Sequence, residues 1–182
     1  MSLSPERLSS LLRVALWFAA IAGAVALLVF TVASLSRQMR IEQAQRELAQ
    51  LQRMLEQFKA RHGDYPAVMG GVPLLRCLLG RADARGQPFE KPQPWFMTGA
   101  QLYFRLSDPT APGNEIVDPW GRPYVYHYLF ARDPEPAGYL LVSGGPDRRH
   151  SEPLFWSSGA NGTAPEDADN LWVNSRTSAA VR

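Results

Sequence analysis

Three histidines, one cysteine and a serine followed by two glycines are the residues with which this chain could do side-chain chemistry, and their spacing speaks against it. His62, His127 and His150 stand far apart, in no His-Glu-x-x-His pair and in no Cys/His spacing of a zinc site. Ser143-Gly144-Gly145 lacks the nucleophile elbow, because Leu141 stands where Gly-x-Ser-x-Gly needs its first glycine. Neither a P-loop nor a dinucleotide-binding glycine fingerprint is present. The expectations are therefore structural: a strand end turning on two glycines, a packed or edge histidine at position 127, and a buried, inert Cys77. As Cys77 is the only cysteine, no intramolecular disulfide can form. A net charge of +2, with both signs interspersed, gives no argument for nucleic acid. The reading is of a protein that is not an enzyme. A membrane-anchored hydrolase would need chemistry from residues 79–118 that their types do not display.

The elements that would carry these residues begin with an apolar run. Residues 14–36 contain no charge and no proline, enough to cross a bilayer, which needs about 20 apolar residues. A cleaved signal would have a shorter apolar core of about 7–15 residues, although Thr31-Val32-Ala33 is a passable cleavage site. An uncleaved anchor fits the length better, and a buried soluble helix is the third reading. Past Arg37 the apolar positions become periodic at Ile41, Ala44, Leu48, Leu51, Leu55 and Phe58, the steps of one helical stripe. Gln43, Gln45, Arg46, Glu47, Gln50, Gln52 and Arg53 fall largely off it. One helix spanning residues 14–61 would reach about 70 Å. Arg7 and Arg13 before the run nearly balance Arg37 and Arg40 after it, so orientation rests on the analogy with simple anchors that export a large carboxyl-terminal domain.

The organisation predicted is a polar head (1–13), a transmembrane segment (14–36), an amphipathic spine (37–62), one soluble domain (63–174) and a flexible tail (175–182). Gly63 is placed to cap the spine and Pro66 forbids its continuation. A short helix is expected over residues 72–79, with Pro73 in its first turn and Gly80 as its stop. Residues 81–94 read as a loop, and residues 95–106 are ambiguous between a short strand and core cover. Tyr124, Tyr126 and Tyr128 alternate with Val125, His127 and Leu129, which marks a strand, and Tyr139 to Ser143 is a second. They form an antiparallel pair joined by a turn-rich loop, too small to stand without the spine as cover. Beyond Ser143 the chain reads as loop as far as Ala168, with a final apolar patch at Leu171-Trp172-Val173.

Four features occur in one order: the membrane-to-spine helix; Gly63-Asp64-Tyr65-Pro66 at its end; Asp118-Pro119-Trp120-Gly121-Arg122-Pro123-Tyr124; and Ser143-Gly144-Gly145-Pro146-Asp147, followed by Asp167-Ala168-Asp169 and Trp172. This combination resembles the major (G-type) pseudopilins of type II secretion systems, within the type IV pilin-like superfamily. The likeness covers residues 14–173, with an apparent insertion between Leu79 and Asp118. The Asp-Pro-Trp-Gly-Arg-Pro-Tyr heptapeptide also has an architectural logic of its own. Asp118 can cap a turn, Pro119 and Gly121 suit its backbone, Pro123 opens an edge strand and Trp120 can bury its ring.

The resemblance implies an α+β, pilin-like fold: a long N-terminal transmembrane and amphipathic helix packed on a small antiparallel β-sheet. It implies a single-pass protein of the bacterial inner membrane with its C-terminal domain in the periplasm. It further implies a structural subunit of a protein secretion or pilus-like assembly. The partners would be other pseudopilins or inner-membrane secretion components, met through the N-terminal helix, together with membrane lipid. No nucleic acid and no small-molecule substrate are expected. It also implies calcium (Ca2+), with Asp147, Asp167 and Asp169 where the family has carboxylate ligands and Val142 and Ser143 where it has backbone carbonyls. Such a set suits a hard cation that takes roughly six to eight oxygens. Arg148-Arg149-His150, in place of the family's glycines, would weaken a cation site. The prepilin cleavage pattern is also missing: Gly23 lies inside the apolar run and the first glutamate after it is Glu42. Processing by prepilin peptidase is therefore not expected. The alternative reading is a membrane-tethered periplasmic binding or adaptor module that keeps the fold and does not polymerise.

Overall fold

The computed structural model describes residues 5–97, 101–149 and 169–176. The chain is α+β, with two helices, α1 (Pro5–His62) and α2 (Gly71–Leu78), and five strands among the described residues. It divides into two compact units, Met1–Met39 and Arg40–Arg182, and α1 contributes to both.

In the first unit the apolar side chains lie open, from Leu16 and Trp17 through Phe30 to Leu35. An 18-residue window of α1 has a mean hydropathy of 2.4 with none of it buried, so this helix is long and apolar enough to span a membrane. Its hydroxyls fit that environment. Thr31 Oγ1 donates to Leu28 O at 2.8 Å, Ser34 Oγ to Phe30 O at 2.9 Å and Ser36 Oγ to Ala33 O at 2.9 Å. Each of these three hydroxyls is thus satisfied within the helix, as a solvent without hydrogen bonds requires.

In the second unit the stripe expected of α1 forms one wall of the core. Ala44, Leu48, Leu51, Leu55 and Phe58 are fully buried, Met54 joins them, and Ile41 packs at the margin. The helix ends where glycine permits: Gly63 takes φ 87°, and its N–H donates to Lys59 O at 2.8 Å. α2 starts and stops one residue earlier than the sequence pattern indicates. Gly80, at φ 64°, donates to Cys77 O at 2.9 Å and closes it.

The opposite wall is a three-stranded antiparallel sheet in the order β3–β4–β5, where β3 is Val125–Leu129, β4 Gly138–Ser143 and β5 Leu171–Asn174. The expected pair β3–β4 is present with Tyr126 opposite Leu141. The apolar patch at Leu171 to Val173 proves to be a third strand on β4, with Val173 opposite Leu141. A second, two-stranded ribbon joins β1 (Tyr103–Phe104) to β2 (Ile116–Val117). Pairing with β2 is what settles the ambiguous 95–106 stretch as containing a strand.

The tyrosines fasten one wall to the other. From β3 and the residue before it, Tyr124 OH donates to Glu47 Oε2 at 2.7 Å, Tyr126 OH to Pro66 O at 2.8 Å and Tyr128 OH to Asp64 Oδ2 at 2.6 Å. Tyr65 OH donates to Glu56 Oε1 at 2.8 Å, and its ring meets Tyr139 edge-on at 4.8 Å. Removing the Tyr126 hydroxyl leaves a buried carbonyl without its donor, which costs about 1–3 kcal/mol. Tyr126→Phe should lose that much stability in denaturant titrations of the full chain in micelles. Tyr103→Phe, at an exposed position, should match wild type.

Candidate functional site

The residues singled out by type converge in part, around the turn that leads from β2 into β3. Asp118 is buried and its carboxylate is fully used. Oδ1 accepts from Trp120 N at 3.0 Å and Arg122 N at 2.9 Å, and Oδ2 accepts from Ser143 Oγ at 2.6 Å. Gly121 sits at φ 81° and Trp120 is buried, so the heptapeptide is a carboxylate-capped turn, as its residue types require.

Ser143 ends β4 fully buried. Its hydroxyl donates to Asp118 and accepts from Gly145 N at 3.2 Å, so it bridges two turns. The glycines after it answer to space. A Cβ on Gly145, at φ 59°, would lie 2.3 Å from the carbonyl oxygen of Asp169. That close approach places Asp147 beside Asp169: Asp147 N donates to Asp169 Oδ2 at 3.1 Å, and Asp147 Oδ1 accepts from Arg149 N at 2.8 Å.

Of the five expected calcium ligands, Asp147 and Asp169 meet, and Val142 and Ser143 lie at the adjoining strand end. Asp167 lies outside the described residues, and among the described residues no group of three or more His, Cys, Asp or Glu side chains could hold a metal ion. The fit is partial. One oxygen on each of the two aspartates is already engaged by a backbone N–H, and the backbone turns back through Arg148 and Arg149.

No protein-family model, no curated protein and no solved structure matches this chain. The remaining chemistry-bearing residues therefore have to be judged by their surroundings. His62 is flanked by Phe58, Phe89 and Phe96, with ring centroids 4.4, 6.1 and 5.9 Å away, and its buried Nε2 has no hydrogen-bond partner among the described residues. Burial, helped by the Arg61 charge, lowers its pKa. His127 lies on β3 opposite Leu140, on the face away from the tyrosines, and His150 lies outside the described residues. The Cys77 thiol faces Asp83 O at 3.2 Å, and burial pushes its pKa up to about 12, so it is an inert core group.

Sequence reasoning missed Glu47. It belongs with the polar residues off the stripe, yet it is 2 % exposed in the structure. Gln43 Nε2 donates to its Oε1 at 2.9 Å and Tyr124 OH to its Oε2, and these two donors make burial of a carboxylate tolerable. The spacing Gln43–Glu47 was the available signal, but its meaning depends on Tyr124, which is distant in sequence. Burial raises the Glu47 pKa, and the nearby Asp118 charge adds to this against the two hydrogen bonds. A carboxyl with a raised folded pKa binds its proton more tightly folded than unfolded. Its effect on stability is therefore most favourable at acid pH and is lost as pH rises from the ordinary value of 4.5 through the folded pKa. Thermal melts of wild type and Glu47→Gln across that window should diverge, with the wild-type curve falling relative to the variant as pH increases.

Proposed function

We propose that this chain is a membrane-anchored, non-catalytic structural subunit, like the major pseudopilins of type II secretion systems, serving a protein secretion or pilus-like assembly. The observation that carries the reading is the division of labour along α1. Residues 16–35 present an open apolar surface with internally bonded hydroxyls, while the stripe from Ala44 to Phe58 is the core wall of a small sheet domain. The ordered motifs add support, since the Asp118 turn and the Ser143-Gly144-Gly145 strand end are joined by one buried hydrogen bond. On this reading the pilin-like domain is periplasmic, the inner membrane holds the anchor, and other pseudopilins or inner-membrane secretion components meet the helix.

The second reading, a tethered adaptor that does not polymerise, is favoured by one sequence fact: no glutamate occurs between Gly23 and Glu42 to play the assembly role that the pseudopilin family assigns to its early glutamate. Intact mass of the full-length protein, expressed with and without a prepilin peptidase, separates the two. A shortened and methylated chain selects the filament subunit. An unprocessed chain that stays in the membrane selects the adaptor.

Calcium forms part of the same proposal. Asp147 and Asp169, with the carbonyls of Val142 and Ser143 and the carboxylate of Asp167, would hold the ion, and the ion would tie the end of β4 to the chain just before β5. A rise in melting temperature in millimolar calcium over chelator, abolished in Asp169→Asn, is the expected result. Identical melts in calcium and in chelator would remove calcium from the proposal.

A further inference from the structure

Away from the Asp118 region, α2 and the loop at residues 109–114 enclose a cleft of about 330 Å³. That is near the lower end of the roughly 300–1,000 Å³ of small-ligand sites. Leu75, Leu79, Pro109 and Pro112 give it an apolar wall, Arg81 brings its guanidinium to it, and Arg76 belongs to its lining.

The loop side is built in advance. Asn114 is buried, and its Nδ2 donates to Leu106 O at 3.1 Å and Asp108 O at 2.7 Å, while its Oδ1 accepts from Leu106 N at 2.9 Å and Glu115 N at 2.9 Å. Asp108 is turned into the loop, where Oδ1 takes both the N–H of Thr110 at 2.8 Å and its hydroxyl at 2.7 Å. Arg81 spans the cleft to Thr110 O at 3.2 Å.

Arg76 differs from Arg81. Its guanidinium has no hydrogen bond and no ion pair with any described residue. The buried acid of this region, Glu115, is already paired with Arg105 at 2.7 Å. The lining of a partly apolar cleft, too small for a large ligand, thus includes one arginine with an uncommitted guanidinium, a fork of donors suited to two carboxylate oxygens. A phosphate dianion would call for more free donors than Arg76 offers.

We propose that this cleft binds a monocarboxylate with a compact, branched aliphatic body. The carboxylate sits on Arg76 and the body lies against Leu75, Leu79 and the two prolines. A free short-chain acid and the terminal residue of a polypeptide ending in leucine share this chemistry.

Methyl NMR of the full-length chain in micelles, labelled at leucine, tests the site directly. The probes are 4-methylpentanoate, N-acetyl-alanyl-leucine, and the carboxamide of each. Both acids, or one of them, should move the Leu75 and Leu79 methyl resonances to saturation and leave Leu48 and Leu51 in place. Arg76→Gln should weaken that binding at least tenfold, with Arg37→Gln as the unaffected control and unchanged Leu48 signals as proof of fold. Which acid binds more tightly identifies the source, free acid or chain terminus. Carboxamides that bind as well as acids, an Arg76→Gln protein that binds like wild type, or no saturable shift with any probe overturns the proposal.

Discussion

A three-stranded sheet of four- to six-residue strands is small and has an apolar face to cover, so the second unit depends on the seam between β3 and α1. Tyrosine makes that seam workable. Its ring supplies apolar area for a core that must be built from few residues, and its hydroxyl reaches acceptors on the far side. Tyr124, Tyr126 and Tyr128 find theirs at Glu47, Pro66 and Asp64, so the strand is registered against the body of the helix and against its exit. Phenylalanine in the same places would bury comparable area and leave those acceptors without their donors.

The Asp118 turn extends this registration to the rest of the sheet. Its carboxylate fixes the backbone at Trp120 and Arg122 and, through Ser143, the end of β4. Gly145 then allows Asp169 to come close just before β5 begins. Segments distant in sequence are brought together by short polar contacts in a region with little hydrophobic area to spare.

What could be read from the residues was what depends on near neighbours: the stripe from Ala44 to Phe58, the glycine at the exit of α1, the alternation of β3 and the capped turn at Asp118. What could not be read depends on partners far along the chain. β2 has only Ile116 and Val117, too short for a pattern, and becomes a strand because β1 lies beside it. Leu171 to Asn174 reads as an apolar patch until β4 supplies its ladder. Glu47 is polar by type and buried by circumstance, because its environment is set by Tyr124. The same limit applies to the cleft beside Arg76, whose walls come from α2 and from a loop that composition alone leaves featureless.

Strand order also has a consequence for biogenesis. The wall of α1 that needs covering is made first, whereas β5, which completes the sheet, is made last among the described elements. Arg176, just after β5, secures the β3–β4 loop by an ion pair to Glu135 at 2.7 Å and a bond to Pro136 O at 2.9 Å. At about 5–20 residues per second, the interval between Phe58 and Val173 is on the order of ten seconds. Through that interval α2, β3 and β4 can close on Leu48, Leu51, Leu55 and Phe58, but the edge of the sheet that β5 pairs stays open. The sheet is thus completed, and its loop locked by Arg176, only when nearly all of the described chain has been made.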